Sequence, residues 1–98
     1  MSNQTGARDD YVTLKQAQLD RWNSEVNILE AKAAGIKDDI VEKYNRQILV
    51  VRSRYKQSLV KLDAIRDAGE FSWEHLKSET ESVMDSFKFA IDQFQLHF

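Results

Sequence analysis

No proline interrupts this chain, and its only glycines stand at positions 6, 35 and 69. Proline and glycine are the strongest local breakers of regular structure, so most of the chain is free to stay helical. The predicted fold class is all-α. The length of 98 residues allows one domain at most. Charged residues make up 31% of the chain with both signs mixed, which suits solvated helix faces. The net charge of −2 gives no overall attraction to nucleic acid. With no cysteine, disulfides, thiolate metal sites and a cysteine nucleophile are excluded. The longest apolar run, Ile48-Leu49-Val50-Val51, is far too short for a bilayer span. The opening MSNQTGA has no basic stretch ahead of an apolar core and does not read as a secretory signal. Residues 1–7 are expected to be a disordered tail before a single helical domain over 8–98. The cytoplasm is the default location.

Apolar spacing carries the helical reading. Val12, Leu19, Val26 and Ala33 recur every seven residues, and Trp22, Leu29 and Ile36 interleave three positions later. From Ile36 the steps run to Ile40, Tyr44 and Ile48, then Val51, Tyr55, Ser58, Leu62 and Ile65. This change of phase is a stutter, which locally unwinds a left-handed supercoil. The last stretch is regular again through Trp73, Leu76, Thr80, Val83, Phe87, Ala90 and Phe94. Met84, Ile91 and Phe98 widen its stripe beyond one narrow seam.

The stretch RDAGEFSWEHLK predicts a turn at about 68–72. Gly69 suits a C′ position in the left-handed region, Ser72 an N-cap, and Phe71 with Leu76 a hydrophobic staple. Gly35 is less decisive. It could end a helix, with Asp39 and Glu42 at capping-box spacing, giving a three-helix bundle. The apolar phase nevertheless runs through it without a slip, and one interior glycine costs only about 1 kcal/mol. The favoured expectation is a long helix over about 8–67, roughly 90 Å at ~1.5 Å per residue. A shorter helix over about 72–98 folds back antiparallel on it, as in a coiled coil. The three-helix bundle is the alternative.

Charge supports the fold-back. Residues 43–66 carry seven cations against Asp63 alone, net +6, and residues 67–98 carry net −5. Reversal near Gly69 lays the acidic last segment along the basic middle one, so the cations of RQILVVRSRYK are expected to serve the last helix and not DNA. The same reversal brings ILVV opposite FKFAI (87–91). Both segments are apolar on two sides, because Phe87 and Phe89 lie about 200° apart at ~100° per residue. A third or fourth helix is therefore expected to pack there. The expected interface residues are Trp22, Leu29 and Ile36 in the first stretch and Ile48, Val51 and Tyr55 in the middle. Trp73, Phe87, Phe89, Ile91 and Phe94 complete the set in the last. A continuous helix would leave the stripe from Val12 to Ile36 without a partner in its own chain, so a homo-oligomer is expected.

Chemistry yields no catalytic residues, cofactor or metal. His75 and Glu79 share a helix face, but two ligands do not make a closed site. The carboxylates lie on solvated helix faces and not in a cleft. Trp22 and Trp73 sit on the apolar stripes as core or interface anchors.

The stretches DYVTLKQAQLDRWNSEVNILEAKA (10–33) and SWEHLKSETESVMDSFKFAIDQFQLHF (72–98) resemble a family of small stand-alone bacterial coiled-coil proteins labelled stress-response or uncharacterised. The matching marks are Asp10-Tyr11-Val12, Gln18-Leu19-Asp20 with Trp22-Asn23, Leu29 to Ala33, and Ser72-Trp73-Glu74 with Leu76-Lys77. Val83-Met84, where relatives tend to an Ala-Trp pair, the aromatic-rich end and Gly35 depart from it. The resemblance implies a stress-associated role and brings no catalytic or ligand residues. The resulting expectation is a non-enzymatic oligomeric coiled-coil protein acting as a scaffold or protein–protein interaction module, with no nucleic-acid partner. The alternative is an amphipathic binder of lipid surfaces, against which the acidic last helix argues.

Overall fold

The computed structural model describes residues 4–33, 38–69 and 72–97. Three helices account for nearly all of them: α1 (Gln4–Ala33), α2 (Asp38–Asp67) and α3 (Glu74–His97). Residues 4–7 of the expected tail belong to α1. The chain runs up, down and up again. Asn23 of α1 meets Arg52 of α2, while Arg8 near the start of α1 donates to the Ala68 carbonyl just past the end of α2. These contacts make α1 and α2 antiparallel. Tyr55 against Phe87 and Tyr44 against Phe94 make α2 and α3 antiparallel as well.

The long helix over 8–67 is therefore corrected to two helices, and the three-helix alternative describes the chain. The longest dimension, 57 Å, could not hold a straight helix of that length. Reversal occurs between Ala33 and Asp38; Gly35 and Ile36 lie outside the described residues. The physical reason is burial. Val12, Leu19 and Val26 of α1, which a continuous helix would strand, are buried within the chain against Val51, Leu62 and Ile65 of α2 and Met84, Phe87 and Ile91 of α3. Each large apolar side chain so covered contributes roughly 1.5–3 kcal/mol, which outweighs a few lost helical hydrogen bonds. Unbroken apolar phase across Gly35 did not require one helix, because each helix needs its own stripe. With Val12, Leu19 and Val26 buried in its own core, the chain does not need a second copy to cover that stripe.

Between α2 and α3 the turn stands where expected but is built differently. The Gly69 carbonyl accepts from the amides of Ser72 (3.0 Å) and Trp73 (3.3 Å), and the Ser72 carbonyl accepts from His75 (3.3 Å). Gly69 does not have a positive φ, so it is not a left-handed C′ residue. The Ser72 hydroxyl makes no hydrogen bond among the described residues. It does not act as the N-cap, and α3 begins after Trp73, whose ring is buried. Phe71, the expected staple, lies outside the described residues.

Ion pairs stitch the bundle along its flanks. Lys15 pairs with Glu81 (3.5 Å) and Lys88 with Glu25 (3.9 Å), both between α1 and α3. Lys61 of α2 pairs with Glu79 of α3. Arg52 instead serves α1, through Glu30 and the side-chain oxygens of Asn23 and Asn27 (3.0 Å each). Lys61, beyond RQILVVRSRYK, thus serves α3, but of that stretch's own cations Arg52 serves α1, and Arg46, Arg54 and Lys56 make no salt bridge among the described residues, so the expectation for them is corrected.

Candidate docking groove

Helical periodicity sorts the α2 side chains into three sets. Val51, Ser58, Leu62 and Ile65 point into the core. Arg52 lies toward α1. Arg46, Val50 and Arg54 recur every four residues on the flank nearest α3, with Leu49 and Val60 farther round toward solvent. On α3, Phe87, Ile91 and Phe94 enter the core, and Phe89 and Leu96, seven apart, turn outward. The helix pair therefore buries one side of each apolar segment against α1 and leaves the other side bare.

The bare side is extensive. Phe89 is 63% exposed, Leu49 69%, Val50 48%, Val60 65% and Leu96 76%. Between α2 and α3 it forms a groove of about 320 Å³ lined by Arg46, Gln47, Val50, Arg54, Ser86, Phe89, Ala90 and Gln93. A shallower recess made by Leu49, Val50, Ser53 and Arg54 continues it across α2. No carboxylate among the described residues lines either one. Arg46 makes no salt bridge among the described residues, and Arg54 reaches only the neutral side chain of Gln57 at 3.3 Å. Lys43 and Lys56, also on α2, make no salt bridge among the described residues.

Most of the expected interface residues belong to the core. Val51, Trp73, Phe87, Ile91 and Phe94 are buried in it, and Trp22, Leu29, Ile48 and Tyr55 pack half-buried against it. Trp22 meets Phe87 edge-on at 5.9 Å. Among those described, Phe89 is the exception, and no described helix covers it. Arg46 and Arg54, expected from the sequence to serve the acidic last helix, instead line the groove without a carboxylate partner among the described residues.

Elsewhere the recesses are larger but shallower, about 610 Å³ along α3 beside Glu74, Lys77, Glu81 and Asp85 and about 560 Å³ beside α1 at Asp9, Val12, Gln16 and Asp20. Glu79, the candidate metal partner of His75, is engaged by Lys61. Among the described residues no group of three His, Cys, Asp or Glu side chains could hold a metal ion. Among them, too, no helix is long and apolar enough to cross a membrane. Near the start of α1, Tyr11 packs on Trp73 (5.5 Å), with the ammonium groups of Lys15 and Lys77 at 5.4 and 5.3 Å from its ring centre. Burial first, and the Glu81 carboxylate second, push its hydroxyl up to about 12. This cluster locks α1 to the start of α3. The chain matches no protein-family model, no curated protein and no solved structure.

Proposed function

We propose that this protein is a non-enzymatic protein–protein interaction module whose docking surface is the exposed face of α2 and α3. The observation that carries this reading is that the exposed Leu49, Val50 and Phe89 meet in one groove and its adjoining recess, whereas the exposed Leu14, Ile28, Val60 and Leu96 stand outside them. A contiguous apolar patch on a small helical protein marks an interaction site, whereas single exposed apolar residues are ordinary. The groove lies where a fourth helix would pack. Its apolar walls and polar corners match the usual anatomy of an interface. The resemblance to stress-labelled coiled-coil proteins adds a stress-associated setting for such a scaffold.

The test compares tagged wild-type chain with a Val50→Asp/Phe89→Asp variant, both introduced into stressed cells. Because these side chains face solvent, melting temperature should change little. A protein recovered with the wild type and lost with the variant supports the reading. Recovery of the same proteins by both chains would remove it.

A further inference from the structure

We infer that the α2–α3 groove receives an acidic amphipathic helix from another protein, with one apolar side chain seated between Val50 and Phe89 and a carboxylate at each end. The inference rests on the docking reading above and names the occupant.

Shape and charge both point to it. The groove runs along two antiparallel helices, so a helix laid in it follows the geometry of a bundle's missing member. Arg46 and Arg54 stand eight residues apart on α2, or ~12 Å at ~1.5 Å per residue. Val50 lies midway between them. On α3, Gln93 and Ser86 complete the two ends, and Phe89 and Ala90 the middle. A partner helix carrying Glu-x-x-x-Leu-x-x-x-Glu places its leucine at the apolar centre and a carboxylate at each guanidinium. Arginine suits such carboxylates because its fork of donors matches their geometry.

The same charges disfavour a second copy of this chain. A two-fold contact sets one face against itself, residue against residue. Here it would gather four guanidinium groups around the axis with no carboxylate in the groove to offset them. A lipid surface is disfavoured by the shape. The groove is a recess and not an apolar ridge, and neither tryptophan stands on this face: Trp73 is buried and Trp22 packs on the core.

The probe is a synthetic helical peptide of ~15 residues with that Glu/Leu pattern. Its controls replace both Glu with Gln, both Glu with Lys, or Leu with Ser. Binding to the full chain is followed by fluorescence anisotropy at low and high salt. The Glu peptide should bind, weaken with salt, and lose on the order of tenfold affinity in an Arg46→Glu/Arg54→Glu variant. The Lys peptide should bind that variant and not the wild type, which a general loss of folding could not produce.

Equal binding by the Gln peptide overturns the acidic inference and leaves the docking reading standing. Equal binding by the Ser peptide overturns the apolar anchor. Failure of all the peptides overturns the inference, while recovery from cells still decides the docking reading separately. Tighter binding of phosphatidylserine vesicles or duplex DNA, lost in the same double variant, would reassign the face to lipid or nucleic acid. A dimer in sedimentation that Phe89→Ser dissolves would reassign it to a second copy.

Discussion

Thr80 sits on the core face of α3, fully buried, and its hydroxyl has no hydrogen-bond partner among the described residues. A buried hydroxyl without a partner costs about 1–3 kcal/mol relative to an apolar group of the same shape. Thr80→Val is therefore expected to raise the unfolding free energy by about 1 kcal/mol or more, read from urea denaturation. A loss of stability would mean that the hydroxyl is satisfied in solution. Ser58, its buried counterpart on α2, differs because its hydroxyl donates to the Arg54 carbonyl at 2.9 Å. Tyr11 gives a prediction in pH. Its folded value of about 12 lies above the ordinary value of 10.0, so the folded chain holds that proton more tightly than the unfolded one. The resulting stability is complete below pH about 10 and is lost as pH rises from there toward about 12. Tyr11→Phe should flatten the fall in melting temperature across that window. Parallel pH profiles for the two proteins would contradict the assignment.

At the scale of elements, the α2–α3 turn changes what each substitution should do. A Cβ on Gly69 would meet nothing within 4 Å, and the residue has no positive φ. Gly69→Ala should therefore stabilise by about 0.4–1 kcal/mol through the unfolded chain. Ser72→Ala should stay within about 0.5 kcal/mol, because the hydroxyl caps nothing. Trp73→Ala should cost about 3–5 kcal/mol, since its ring is buried against the core and Tyr11. The three are compared by chemical denaturation. A cost near 1 kcal/mol for Ser72→Ala would restore the N-cap that the sequence suggests. That turn was legible in place and not in detail. Glycine and serine at those positions signal a break, but which backbone groups close it depends on how Trp73 is drawn into the core.

For the whole molecule, extents of 57 × 21 × 18 Å describe a bundle that buries its α1 stripe without help from another chain. The α2–α3 groove has cations and, among the described residues, no carboxylate, which resists pairing with itself. The isolated protein is expected to be a monomer at micromolar concentration. Light scattering behind a sizing column checks this, and a stable dimer would shift attention to self-association.

What the sequence determined by itself is what short-range physics controls. The absence of proline and the spacing of Val12, Leu19 and Val26, and of Trp73, Phe87 and Phe94, dictated helices and their inward faces. These patterns depend only on 3.6 residues per turn. The tertiary structure alone decided that the chain reverses between Ala33 and Asp38, that Arg52 serves α1, and that Phe89 is left uncovered. Those outcomes depend on which of several compatible stripes meet. A heptad stripe is satisfied equally by another chain or by its own, and the choice follows from the total area that three helices bury together.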